Sequence, residues 1–390
     1  MKRKIKISLT ILSMLLLYSC DYETHVINTV HEDGSITRKV IVRNDTESEF
    51  EPQHFRVPID STWTIEYTEE LNENNDTIWI LTAEKHFASV EGINEEYNND
   101  TGSNRSLKRR AEFSKSFKWF TTVFRYRETV DKVLTITCPA SDFLSEEELA
   151  FFSLPDNVKA DLKNGADSLR YKALSDSVDT KSETWMWTGV VRQYIEIFYD
   201  LFGDHPDLTI NKEEMSSKES AFVRQIIAFE QSEKEEDEEI LQTIEDGKEE
   251  VQSALEILEQ EESIEEAADF ELVVTSVLGK EFYSTFKTEI DSAMSVLETV
   301  TDPFFDAQSY DMEIRMPGRI IASNGYADTN PESNGDGGIF WTVQGDYFLL
   351  EQYEMWVQSK ISNYWAWIVT AVFILFVITG FVVRSRKGKS

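Results

Sequence analysis

Nineteen consecutive residues without a charge, Trp365 to Val383, constrain this chain more than anything else in it. As a helix they extend about 28 Å at ~1.5 Å per residue, which matches the hydrocarbon thickness of a bilayer. Tyr364, Trp365 and Trp367 stand at one edge, where amphipathic rings favour the headgroup level, and Arg384, Arg386, Lys387 and Lys389 follow the other. The positive-inside rule then places the C-terminus in the cytoplasm. A buried core helix is the competing reading; the aromatic edge and the basic stop favour a span. The expectation is a transmembrane helix over 364–383 and a basic cytoplasmic tail over 384–390.

The other end carries a second apolar stretch, of a different kind. Met1-Lys-Arg-Lys-Ile-Lys6 is basic, and Ile7 to Leu17 is apolar but covers only about half a bilayer at ~1.5 Å per residue. That pattern belongs to a signal sequence and not to a span. It ends in Leu17-Tyr18-Ser19-Cys20, which resembles the lipobox of bacterial lipoproteins. The resemblance implies removal of residues 1–19 and acylation of Cys20, the predicted lipidation site. An ordinary cleaved signal that happens to contain a cysteine is the plainer alternative. Each buried CH₂ of an acyl chain contributes about 0.8 kcal/mol, so two or three chains anchor firmly. Spanning helices belong to cytoplasmic membranes, because outer membranes are crossed by barrels. The expected location is therefore the bacterial cytoplasmic (inner) membrane, with the bulk of the chain extracytoplasmic or periplasmic.

The 390 residues include 72 acidic and 38 basic ones, a net charge of −34. Four basic residues precede Ile7 and four follow Val383, so the part between is more acidic still. Such a balance argues against nucleic acid as a partner, which needs a basic face. It also sets the body against anionic headgroups, so the anchors must be apolar. Two cysteines exclude a disulfide framework and a Cys-rich zinc site.

The predicted class is α+β: an antiparallel β-rich extracytoplasmic domain interrupted by a helical insertion, with one C-terminal transmembrane helix. The first part of the β domain covers 20–138. Tyr22–Val30 and Ile36–Val42 flank Asp33-Gly34, a strong hairpin signal. Thr62–Thr68 with Thr77–Thr82, then Lys108–Ser116 with Phe117–Thr129, make further pairs, followed by a strand over Lys132–Cys138. Since the first strand follows Cys20 almost directly, the sheet is expected close to the bilayer surface. From Pro139 to 302 the period becomes helical. Ser145-Glu-Glu-Glu148 is a capping box, and helices are predicted over Ser182–Phe202 (closed by Gly203), Ser217–Ile244, Lys248–Glu262 and Lys280–Val300, the last stopped by Thr301-Asp-Pro303. Strands return in 303–363 as Asp311–Met316, Gly318–Ala322, Gly338–Val343 and Tyr347–Gln358, completing the interrupted domain. A late three- or four-stranded unit would be marginal alone, which disfavours two consecutive domains.

Asp33-Gly34, Met316-Pro317-Gly318, Asn324-Gly325, Trp341 and the C-terminal apolar run occur in an order that resembles the LppM-type domain of bacterial membrane-anchored lipoproteins. In that family an early hairpin follows the lipid cysteine, and a Pro-Gly strand, an Asn-Gly turn and a Trp strand precede a single span. The resemblance implies an envelope lipoprotein without a defined reaction; the long acidic insertion departs from the compact form.

Motifs of catalysis are missing from the sequence. His25, His31, His54, His86 and His205 form no His-Glu-x-x-His, and there is no Cys-x-x-Cys, Walker loop or Gly-x-Ser-x-Gly elbow. Ser284-Thr-Phe-Lys287 matches Ser-x-x-Lys but lies within a helical stripe without its companion motifs. Cys138 reads as a buried, inert thiol. Glu233 to Glu239 is an acidic run that reads as a solvated helical face, or as a site for a basic protein partner or divalent cations. Asp328, Asn330, Glu332, Asn334 and Asp336 space oxygen ligands like the start of a calcium loop, yet position 12 of that register is Val343, so hairpin solvation is the better account. Arg105, Lys108, Arg109, Arg110, Lys115, Lys118, Arg125 and Arg127 alternate with Phe113, Phe117, Trp119, Phe120 and Phe124. They suggest a half-buried sheet whose charged face meets the acidic helices, or a face for anionic headgroups.

Three functions remain open at this point: a non-enzymatic, doubly anchored module with no cofactor and no metal; a lipid- or small-ligand-binding module with an apolar groove near the bilayer; and a hydrolase whose acids only the fold would assemble. The first is the expected one.

Overall fold

A computed structural model describes residues 22–44, 50, 55–71, 76–102, 104–152, 154, 156–165, 168–246, 270–305, 309–327, 338–343 and 345–387. Cys20, the Lys248–Glu262 helix and the Asp328, Asn330, Glu332, Asn334 and Asp336 set lie outside the described residues. The chain divides into two compact units, a β unit of 22–130, 309–343 and 353–390, and a helical unit that takes in 131–308 and 344–352.

In the β unit, β1 (Tyr22–Val30) and β2 (Ile36–Asn44) form the expected antiparallel hairpin around Asp33-Gly34. Gly34 has φ +96°, a left-handed conformation that glycine adopts without cost, and Asp33 Oδ1 accepts from the Ser35 N–H at 3.0 Å. β3 (Thr64–Leu71) and β4 (Thr77–Phe87) extend that sheet beside β2. Strands from beyond the helical segment, β7 (Tyr310–Arg315), β9 (Tyr326–Ala327) and β10 (Ile339–Val343), complete it in the order β3-β4-β2-β1-β7-β10-β9. β1 pairs with β7 in parallel, so the sheet is mixed and not purely antiparallel as predicted. The long excursion between these two strands is what permits a parallel neighbour, which a tight turn cannot supply. The second sheet has the order β5-β6-β11-β8, from β5 (Arg109–Lys118), β6 (Thr121–Val130), β8 (Arg319–Ser323) and β11 (Tyr353–Ser362). Its hairpin turns at Trp119-Phe120, not before Phe117 as predicted, because Phe117 and Lys118 still pair with Thr122 and Thr121. A helix the sequence did not announce, α1 (Val90–Asn98), follows β4 and buries Val90, Ile93 and Tyr97.

Contacts between the sheets show how their strands align. Asn28 meets Glu128, whose ladder partner is Ala111; Gly34 lies against the Phe113 ring; the Glu32 carbonyl accepts from Lys115 Nζ at 2.8 Å. β1 and β5 therefore run the same way. Ser359 Oγ donates to Pro317 O near the end of β11, while Tyr353 OH donates to Thr342 O near its start. Tyr22 accordingly sits at the end of the β unit opposite Ser362, and β1 alone spans about 30 Å at ~3.3 Å per residue.

The helical unit contains α2 (Glu146–Phe152), α3 (Asp156–Asn164), α4 (Ser168–Phe202), α5 (Lys212–Ser216), α6 (Glu219–Asp246), a helical stretch at 270–278, α7 (Lys280–Phe305) and α8 (Gly345–Leu350). One core gathers Trp187, Val191, Phe198, Phe222, Ile226, Phe286 and Ile290; another gathers Leu134, Phe151, Trp185, Leu349 and Leu350. The Ser145 capping box forms as expected: the Ser145 N–H donates to Glu148 Oε2 at 2.8 Å and the Glu148 N–H to Ser145 Oγ at 3.4 Å. α4 starts well before Ser182, and α7 continues past Thr301-Asp302-Pro303 to Phe305. Lys132–Cys138 is not a strand. Its amides are satisfied otherwise, Val133 and Leu134 donating to Phe348 O and Leu349 O, and Thr135 and Ile136 to Gln193 Oε1. The predicted strand over Tyr347–Gln358 is half helix: α8 buries Phe348, Leu349 and Leu350 in the helical unit before β11 begins.

Candidate functional site

β11 passes into α9 (Tyr364–Lys387) through a single buried residue, Asn363. Its N–H donates to Phe120 O at 2.9 Å, and its Nδ2 donates to Lys118 O at 2.9 Å and Trp119 O at 3.3 Å. Its Oδ1 accepts from Thr122 Oγ1 at 3.0 Å, and its carbonyl accepts from the Ala366 N–H. One asparagine thus closes the β5–β6 hairpin onto the first turn of the helix. Trp119 Nε1 adds a bond to Thr370 Oγ1 at 2.9 Å, so the hairpin tip runs alongside the first two turns of α9.

Aromatic rings surround this joint. Phe117 stacks on Trp365 with an interplanar angle of 9°, Trp119 meets Trp365 edge-on at 5.4 Å, and the Phe120 and Trp367 centroids are 4.3 Å apart. Trp119, Trp365 and Trp367 nonetheless keep about half of their surface exposed. Beyond them, Tyr364–Val382 is long and apolar enough to cross a membrane, and only 6% of that window is buried. The sequence located this helix and its aromatic edge. It did not reveal that the hairpin aromatics belong to the same collar, since the contacts join residues some 250 positions apart.

Of the basic residues interleaved with aromatics, several find partners inside the β unit. Arg127 pairs with Glu112 and, at 3.5 Å, with Glu354; Arg109 pairs with Asp100; the Arg125 guanidinium lies over the Trp356 ring.

A second polar constellation is wholly buried between the sheets. Arg38 Nη2 donates to Glu128 Oε1 at 2.5 Å, and Arg38 Nε to Asn28 Oδ1 at 2.7 Å. Asn28 Nδ2 and Tyr126 OH also donate to Glu128 Oε1, and Tyr97 OH to Glu128 Oε2. Burial works against the Arg38 charge, but Glu128 and the two phenols outweigh it and hold the guanidinium protonated. Burial, reinforced by Glu128, pushes both phenols up, so they remain donors. Every member has partners and none faces solvent, so the network braces the sandwich and offers no reactive atom to a substrate.

The other sequence candidates do not converge. Ser284 Oγ donates to Glu281 O, and Lys287 Nζ to Tyr283 OH, so they form no serine-lysine pair. Cys138 is buried and free, with its thiol pushed up by burial. His31 and His86 flank the Thr37 hydroxyl, His25 lies 3.7 Å from Glu313, and His205 lies 3.9 Å from Glu289. Among the described residues no group of three His, Cys, Asp or Glu could hold a metal ion.

No family model, curated protein or solved structure matches the chain. The LppM-type resemblance rests on its motifs alone. Two of them have clear structural work here: Gly318, at φ +76°, brings its backbone against Lys360 O, and the Asn324 side chain bridges Glu354 O and the Trp356 N–H.

Proposed function

We propose that this chain is a membrane-anchored envelope protein, a non-enzymatic structural or interaction module whose β unit is held at the lipid surface by α9. The observation that supports this most is the joint at Asn363, where a solvent-exposed apolar helix grows from a sheet without a linker. A freely tethered domain would need no such brace; a module whose orientation on the membrane matters would. The positive-inside rule then sets the basic end of α9 in the cytoplasm and the β unit outside. Acylation at Cys20 is a second, separable anchor of the same proposal.

The test is extraction. The full chain should stay with membranes through high salt and alkaline carbonate, and a chain ending at Asn363 with Cys20→Ser should be released. Retention of the doubly altered chain would overturn the anchoring. A chain ending at Asn363 with Cys20 intact should take up labelled palmitate, and processing should stall with globomycin; absence of both would remove the lipid anchor and leave the helix. One depression on the helical unit is lined by Lys218, Arg224, Gln225 and Ser276 as well as Ala221 and Val277, and is not itself an apolar groove.

A further inference from the structure

The acidity of this chain stops short of α9. No Asp or Glu follows Glu354, and none occurs in 113–127 or 318–327, the segments that build the same end of the four-stranded sheet. On one face of that end the ladder sets Lys118 opposite Thr121, which pairs with Ser362; Lys360, two residues earlier, pairs with Arg319. Because partners and second neighbours share a face, Lys118, Lys360 and Arg319 project together. Arg125, opposite Gln358, joins them one step further on. All four are exposed, and Lys118, Arg319 and Lys360 have no ion pair among the described residues.

We propose that this face is a docking surface for anionic phospholipid headgroups, which deepens the membrane-anchored reading and rests on it. Position favours this occupant: the face adjoins the residue from which the apolar helix leaves, and the aromatic collar beside it is made of the ring types that settle at the headgroup level. Distance decides the sign of the field. On this sheet the first carboxylates on the same face along each strand are Glu112, six residues from Lys118, and Glu354, six residues from Lys360, about 20 Å at ~3.3 Å each, which is about two Debye lengths at ~10 Å. Both carboxylates are also paired with Arg127. The Glu32-Asp33 turn of the other sheet approaches Lys115, whose place in the ladder puts it on the opposite face. A headgroup at the collar therefore meets Lys118, Lys360 and Arg319 ahead of any carboxylate of this sheet.

The full chain, reconstituted in nanodiscs of phosphatidylcholine with phosphatidylglycerol, should be exposed to photoactivatable headgroup analogues of each lipid. Labelling of peptides containing Lys118, Arg319 and Lys360 should favour the phosphatidylglycerol analogue several-fold. The triple substitution Lys118→Glu, Arg319→Glu, Lys360→Glu should abolish the preference while the chain stays carbonate-resistant. A triple change to glutamine should lower it, which guards against misfolding from reversed charge. Equal labelling by both analogues, or a preference that survives charge reversal, overturns the docking surface while the anchoring stands. Failure of the full chain to integrate overturns both.

Discussion

Arg38 and Glu128 show what single residues contribute to the β unit and how far they could be read in advance. The burial pattern of β2 places Ile36, Arg38, Val40 and Val42 on one face, and that of β6 places Phe124, Tyr126, Glu128 and Val130 together. The parity was visible in the sequence, but a charge in a strand reads as its solvent side, so the pair was missed. Removing one partner strands a charge in the core, and Arg38→Met should cost the β unit about 3–5 kcal/mol. Changing both Arg38 and Glu128 to leucine should cost less than the two single changes added, because no lone charge remains. Hydrogen exchange of β1, β2 and β6 amides measures both effects. A second residue reports on acid. Hydrogen bonds from Lys181, Ser177 and Ser145 hold the Glu148 carboxylate down from 4.5 to about 2. A carboxyl depressed in the folded state stabilises above its ordinary value, and that contribution fades as pH falls from 4.5 toward 2. The helical unit should lose melting temperature across that window, and Glu148→Gln should flatten this part of the profile while lowering the plateau.

Elements were legible where their pattern was local. The first hairpin, the capping box and the apolar helix each carry their signals within a few residues. Lys132–Cys138 and Gly345–Leu350 were misread for a shared reason: each segment's backbone or apolar face is satisfied by the other, a pairing that no alternation within either can announce. α1 carries Gly92 and is short, which hides its period. Packing between elements gives a direct test at Gly189 of α4, where an added Cβ would fall 2.1 Å from Leu350 Cδ2 of α8. Gly189→Ala should destabilise the helical unit by about 1–3 kcal/mol through overpacking, and Leu350→Ala in the same chain should relieve part of that loss; thermal unfolding decides. At the joint, Asn363→Ala removes three side-chain hydrogen bonds. Amides in 117–122 should exchange faster, while carbonate resistance stays unchanged because α9 itself is intact.

For the whole molecule, the chain order explains how each of the two sheets is assembled from both sides of a long helical excursion. β1 sits beside β7, and β6 beside β11. The sequence indicated an interrupted arrangement from the return of strand patterns near Asp311, but nothing in it indicated which early strand each late strand would join. The candidate site was legible by half: its apolar helix from composition and Lys118 and Arg125 from a basic run interleaved with aromatics, but its collar only from the ring contacts and the place of Arg319 and Lys360 only from the ladder register. That register also fixes where β1 begins, and there the proposed acyl anchor meets a condition. Cys20 is two residues from a strand that starts a full strand length away from the helix joint, so one bilayer can receive both attachments only if the β unit reclines along it. Acylation would then set posture more than grip. A lipid-phase quencher should reach a probe at Glu23 in the acylated protein and lose it in Cys20→Ser, while a probe beside Trp119 should be quenched in both. If the Glu23 probe stays unquenched in the acylated protein, the two tethers do not share a membrane.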